Sequence, residues 1–110
     1  MRNLTFSSLL RYLIENRDDF FRYLKSKFPL FHNSNFFFRD LQFGIKGYFE
    51  KKGIILSYSD SEKLARLYSE RLIEDKIFNK ISENTWRVNY PEYITKEPGD
   101  PFKNIQLGGI

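Results

Sequence analysis

Apolar residues recur at helical spacing over four stretches of the chain. Two of them, residues 5–15 and 18–28, form either one long helix or two helices broken near Asn16. Residues 37–52 carry the third stretch, and Gly53 after two lysines is a typical helix end. The pattern therefore predicts three or four helices.

The fourth stretch is a charged amphipathic helix that begins within residues 58–61. Ser59, Asp60 or Ser61 is the predicted N-cap, and Glu62 follows Ser59 by three residues, as in a capping box. Its predicted buried stripe is Leu64, Ala65, Tyr68 and Leu72.

Short β-patterns follow this helix. Residues 77–81 and 85–90 predict a hairpin, because every second residue from Trp86 to Tyr90 is apolar. Asn84 in the turn is expected to adopt the left-handed conformation. The apolar run of residues 54–56 is a candidate for a further buried strand. The predicted class is α+β, mainly α, with a small C-terminal β-hairpin or three-stranded sheet.

Composition along the chain suggests three regions. Residues 1–35 form a helical region packed on the domain, residues 36–90 form the core, and residues 91–110 form an extended tail rich in proline and glycine. Gly44 and Gly47 lie inside the third helix, where each costs about 1 kcal/mol relative to alanine. Close approach of another helix would explain them.

The composition excludes several kinds of chemistry. The chain has 110 residues, no cysteine and one histidine, His32. Disulfides, thiol catalysis and a histidine–cysteine metal site are therefore excluded. We find no phosphate-binding glycine loop and no nucleophile with a placed base, so neither an enzyme, a cofactor nor a small-molecule substrate is predicted.

The chain also lacks targeting signals. No apolar run approaches the roughly 20 residues of a membrane span, and the N-terminus lacks the features of a signal peptide. An intracellular, cytoplasmic location is therefore expected.

Over residues 41–90 the predicted order of helix, short strand, helix and hairpin resembles the winged-helix superfamily. Within it, Ala65, Ser69 and Leu72, followed by the strand that begins at Ile77, resemble the DEP family. Arg87 between Trp86 and Val88 resembles the element that closes such domains. Two departures are visible: Ser69 stands where glycine is usual, and the preceding helix lacks its tryptophan. The resemblance implies an adaptor that docks on a protein or a membrane.

The exposed face of the fourth helix is unsuited to reading DNA. It carries mixed charges with an acidic excess, and carboxylates there would face phosphates. These residues are Glu62, Lys63, Arg66, Glu70 and Glu74. Our leading hypothesis is a non-catalytic adaptor that binds another protein. The alternatives are a small basic DNA- or RNA-binding regulator, for which the net charge of +4 argues, and contact with an anionic membrane.

Two sets of candidate residues follow. The candidate phosphate or lipid contacts are Lys46, Lys51, Lys52, Lys80 and Arg87. The chain also has twelve phenylalanines, some of which are expected to be exposed anchors for a partner. The candidate partner-binding aromatics are Phe31, Phe36, Phe37 and Phe38, with Phe20, Phe21 and Phe28 as further members of the same phenylalanine-rich region.

Overall fold

A computed structural model describes residues 5–93, and the predicted tail from residue 94 to 110 lies outside this range. Its elements confirm an α+β chain that is mainly α. In chain order they are α1 (Phe6–Glu15), α2 (Arg17–Lys27), β1 (Asn35–Phe37), α3 (Phe38–Lys51), α4 (Tyr58–Glu74), β2 (Phe78–Ser82), β3 (Thr85–Val88) and a 3-10 turn (Pro91–Tyr93).

The first two helical stretches are separate helices. Asn16 lies between them with φ −117° and ψ 38°, outside the helical region, and its side-chain nitrogen donates to the Tyr12 carbonyl oxygen over 2.9 Å. Thr5 begins α1 in a reciprocal capping box with Ser8. The break lets α1 pack on α4 while α2 packs on α3.

The sheet differs from the prediction in its third strand. The strand order is β1-β3-β2, and both pairings are antiparallel. The sequence pattern does not predict β1, and it indicates residues 54–56 as the candidate for a further strand. The structure has no strand at residues 54–56, where Ile55 is 71% exposed. The burial of Phe36 explains why residues 35–37 join the sheet. Its side chain is buried opposite Trp86, whereas both of its neighbours face solvent.

Two local predictions around α4 and the hairpin are wrong. The helix is capped by Ser57, whose hydroxyl accepts from the Asp60 amide over 3.0 Å, so neither Ser59 nor Glu62 caps it. Asn84 is not left-handed; among the described residues other than glycine, only Asn33 and Lys76 have positive φ. A bulge between Lys80 and Ser82 shifts the register beside the turn instead.

One core joins the helices and the sheet. The predicted stripe of α4 is buried, and Trp86 stacks on Phe78 with centroids 4.9 Å apart. Leu13 from α1 and Phe20 from α2 are fully buried in the same core. The first predicted region therefore shares its core with the second, and the boundary drawn at residues 35 and 36 falls inside β1.

The glycines of α3 mark its crossing with α2, as predicted. A Cβ at Gly44 would overlap the Leu24 side chain, and one at Gly47 would overlap the Tyr23 hydroxyl. Gly53 ends the α3 region with φ +84°, the left-handed conformation that glycine adopts at low cost.

Candidate functional site

The predicted partner-binding aromatics are divided between core and surface. Phe37 is 48% exposed, and Phe31 is half-buried with the Lys25 ammonium 4.0 Å from its ring centroid. Phe36 and Phe38 are buried, so these two candidates are not exposed on the surface. Neighbouring phenylalanines point to opposite faces of a strand, which a run of identical residues does not reveal. Phe20 and Phe21 are also buried, whereas Phe28 is half-buried against the core.

Phe37 borders a groove between α3, α4 and the β2–β3 turn, which we call the hairpin groove. Its volume is about 330 Å³. Tyr58, which is 60% exposed, stands on the rim as a second large exposed ring. The groove is lined by Phe37, Phe38, Arg39, Gln42, Tyr58, Glu62, Arg66, Asn84 and Thr85.

Arg66 closes one wall of the hairpin groove. Its guanidinium carbon lies 3.8 Å from the centroid of Phe38, a cation–π contact. The same group donates to the Asn84 side-chain oxygen over 2.9 Å and to the Glu83 carbonyl over 3.4 Å. The β2–β3 turn is thereby tied to α4.

Gln42 fixes the floor of the groove. This side chain is 2% exposed and donates to the Tyr58 carbonyl over 3.3 Å and to the Ser61 hydroxyl over 3.2 Å. Ser61 is itself buried and donates to the Tyr58 carbonyl over 2.8 Å. These bonds hold the first turn of α4 against α3 and so position the Tyr58 ring.

The five predicted phosphate or lipid contacts do not converge on one site. Lys46 is half-buried on α3, whereas Lys51 and Lys52 are exposed around its end. Lys80 on β2 lies 3.5 Å from the Glu83 carboxylate, in an exposed ion pair. Arg87 is exposed on the outer face of the sheet, where Asn35 and Asn79 are its partners on the two flanking strands.

Lys51 and Lys52 belong to a second groove, between α2 and α3, which we call the tyrosine groove. Its volume is about 440 Å³. None of its α2 members was among the candidate contacts predicted from the sequence, although Arg22 and Ser26 lie four residues apart on one helix face. The lining residues are Asp19, Arg22, Tyr23, Ser26, Tyr48, Lys51 and Lys52.

Burial and neighbouring groups raise the pKa values of the two tyrosines that line this groove. The Tyr48 hydroxyl donates to the Asp19 carboxylate over 2.7 Å. Burial and this hydrogen bond raise the pKa of Tyr48 far above its usual range. Burial and the Glu50 charge also raise the pKa of Tyr23. Both tyrosines therefore stay neutral at physiological pH.

The outward face of α4 has its cations engaged within the domain. Arg66 binds the hairpin turn, and Arg71 pairs with Asp75 over 3.0 Å. The Lys63 ammonium lies 5.5 Å from the Phe6 ring centroid. None of the exposed carboxylates Glu62, Glu70 and Glu74 forms an ion pair with a described residue. The face that would enter a DNA groove therefore carries three carboxylates against the two cations Lys63 and Arg66, an excess of one negative charge.

Within residues 5–93, no helix is long and apolar enough to cross a bilayer, and no three metal-ligating side chains cluster. Comparison of the chain with protein-family models, curated proteins and solved structures gave no match.

Proposed function

We propose that this protein is a non-catalytic adaptor of winged-helix type that binds another protein through the hairpin groove, as a subunit of a larger assembly in the cytoplasm. The observation that carries the proposal is the pair of exposed rings, Phe37 and Tyr58, on the rim of one groove with a fixed floor. Large aromatic side chains beside a pocket are typical anchors at protein interfaces.

The winged-helix part of the proposal is supported by α3 and α4 followed by the β2–β3 hairpin. The short strand expected between the two helices is absent there, and β1 precedes α3 instead. Ala65, Ser69 and Leu72, which carry the DEP-like resemblance, are buried on α4. They serve the core, so partner specificity in this proposal depends on the groove.

The charge distribution favours a protein partner over duplex DNA. Arg39 and Glu62 line the same groove with opposite charges, which suits the mixed polar rim of a protein interface. On the outward face of α4 three glutamates outnumber the two cations Lys63 and Arg66, so the phosphates of a DNA duplex would meet a slight excess of negative charge.

Site-specific crosslinking tests the proposal. A photoreactive phenylalanine analogue replaces Phe37 or Tyr58 in the cells that make the protein, and Ile81 serves as a control because it is 50% exposed but outside the groove. We expect the same protein to crosslink from positions 37 and 58 and not from position 81. Phe37→Ser should abolish copurification of that protein. Equal crosslinking from all three positions, or none from the groove, would contradict the proposal.

The outer sheet face supports a second candidate, a nucleic-acid-binding regulator. Arg87 forms no ion pair with a described residue and has Asn35 and Asn79 beside it, and these are side chains that contact phosphates and bases. A salt-dependent mobility-shift assay tests it with Lys80→Glu combined with Arg87→Glu. Unchanged duplex binding by this variant, or no binding at low salt, would exclude the candidate.

A further inference from the structure

The tyrosine groove lies outside the proposed protein-binding site, since it shares no lining residue with the hairpin groove. We propose that this groove, together with the adjoining ring of Tyr12, binds single-stranded nucleic acid. The proposal is independent of the adaptor function, because it uses other residues and a different kind of partner.

Cations outnumber carboxylates around the tyrosine groove. Arg22, Lys51 and Lys52 line the groove, and the Lys27 ammonium lies 5.7 Å from the Tyr23 ring centroid. The nearby carboxylates are Asp19, which lines the groove, and Glu50, which acts on Tyr23.

Asp19 is already engaged within the domain. It accepts the Tyr48 hydroxyl and pairs with Arg22 over 3.4 Å, both of which reduce its effect on an incoming anion. The remaining positive charge favours a phosphate chain, whose binding releases counterions.

Exposed tyrosine rings lie beside these cations. Tyr12 is 38% exposed and Tyr23 is half-buried, with ring centroids 6.4 Å and 5.7 Å from that of Tyr48. The Lys52 ammonium lies 5.7 Å from the Tyr12 centroid, and that of Lys51 lies 5.8 Å from the Tyr23 centroid. A base can stack on each exposed ring while the flexible lysine moves to the adjoining phosphate.

Tyr48 supports the two exposed rings from behind. It is buried, its hydroxyl is bound to Asp19, and its ring lies beside those of Tyr12 and Tyr23. The Tyr23 ring packs against Gly47 on α3 and can still turn toward solvent to meet a base.

A single strand is the anionic polymer that uses both the cations and the rings. The bases of a duplex are stacked on one another, so their faces cannot reach Tyr12 or Tyr23. A bilayer surface would attract the same cations through its charge alone. Dependence on the Tyr12 ring therefore separates a single strand from both.

The test is a fluorescence-anisotropy titration of the full chain with a labelled ten-nucleotide uridine RNA and with the thymidine DNA of equal length. We expect saturable binding that weakens with salt. Lys51→Gln combined with Lys52→Gln should lower the slope of log affinity against log salt by about 1.4, because each phosphate contact on a single strand contributes about 0.7. Lys63→Gln combined with Lys76→Gln is the matched control and should leave the slope unchanged, because both side chains are exposed and line neither groove.

A ring variant tests the stacking. Tyr12→Leu keeps apolar contact with Phe49 but removes the platform, and should weaken binding about 5- to 150-fold, the range expected for one lost base stack. Circular dichroism melting of each variant verifies the fold. No binding at low salt, equal affinity for a duplex of the same length, loss of binding only in the Lys63 and Lys76 control, or binding to phosphatidylserine vesicles without binding to either oligonucleotide would overturn the proposal.

Discussion

At the scale of single residues, the Arg66 side chain holds three elements of the fold together. It covers the Phe38 ring and donates two hydrogen bonds to the β2–β3 turn, so one cation connects α4, α3 and the hairpin. Its helix neighbour Arg71 makes only an exposed ion pair with Asp75. The sequence presents both as equivalent exposed charges on one helix, since cation–π and turn contacts come from residues distant in the chain.

We expect Arg66→Met to lower the free energy of unfolding by about 1–2 kcal/mol, the combined effect of a cation–π contact and hydrogen bonds of ordinary strength. Arg71→Met is the control and should cost no more than about 0.5 kcal/mol, because exposed helical ion pairs contribute little. Urea unfolding followed by circular dichroism measures both. Equal losses would show that Arg66 holds no special place in the fold.

At the scale of elements, the crossing of α2 and α3 depends on two glycines with different neighbours. Gly44 faces Leu24, which is fully buried, whereas Gly47 faces the hydroxyl end of the half-buried Tyr23. Helical propensity predicts the same gain for alanine at both positions, about 1 kcal/mol. Whether alanine stabilises the protein at each position depends on whether the neighbouring side chain can move away from the added methyl group.

Gly44→Ala should therefore destabilise the protein by about 1–3 kcal/mol, because the buried Leu24 cannot move aside without strain in the core. Gly47→Ala should be neutral or stabilising by up to about 1 kcal/mol, since the Tyr23 ring can swing toward solvent. Thermal unfolding of the two variants is compared directly. A stabilised Gly44→Ala variant would show that α2 and α3 pack less closely at Gly44 than the overlap with Leu24 indicates.

The sequence pattern predicted the helical stretches and the β2–β3 hairpin, but it did not predict β1. Long amphipathic stretches located the helical residues, because burial of a helix face imposes its period on many residues, but they left open whether residues 5–28 form one helix or two. β1 is three residues long, and its alternation cannot be distinguished from a chance run of phenylalanines. The short apolar run at residues 54–56 looked more like a strand, yet it has no partner strand and only Leu56 is buried.

At the scale of the whole molecule, tyrosine hydroxyls connect helices to distant parts of the chain. The Tyr90 hydroxyl donates to the Asp18 carboxylate over 2.9 Å, and the Tyr68 hydroxyl donates to the Leu13 carbonyl over 3.3 Å. Burial, reinforced by the bond to Asp18, raises the pKa of Tyr90 to about 12. Burial also raises the pKa of Tyr68 far above its usual range.

These shifts predict alkaline instability. A tyrosine with a raised pKa in the folded state contributes stability that is complete below its unfolded pKa of about 10 and is lost as pH rises toward 12. The free energy of unfolding should thus be insensitive to these groups at pH 8 and should fall between about pH 10 and pH 12. Urea titrations at pH 8, 10 and 11 measure it, and Tyr90→Phe should fall less steeply over that interval. A flat profile in the parent protein would contradict the raised pKa values.

The candidate sites were only partly predictable. Lys51 and Lys52 were singled out from their place at a helix end, but their neighbours Arg22 and Tyr23 come from α2, 28 to 30 positions earlier in the chain. Phe37 was identified among the aromatics, whereas Tyr58, the other ring of the hairpin groove, was assigned only to a helix start. Grooves form where elements meet, so their membership depends on packing that local patterns do not encode.

The sequence by itself determined the class of fold, the helical stretches, the buried stripe of α4 and the inward face of β3. Each follows from local periodicity, because one side of an element must leave water. Only the tertiary structure decided which phenylalanines are exposed, that β1 joins the sheet, and that the cations of α4 are engaged within the domain. These outcomes depend on which distant residues meet across the core and at its edges, and that is a property of packing.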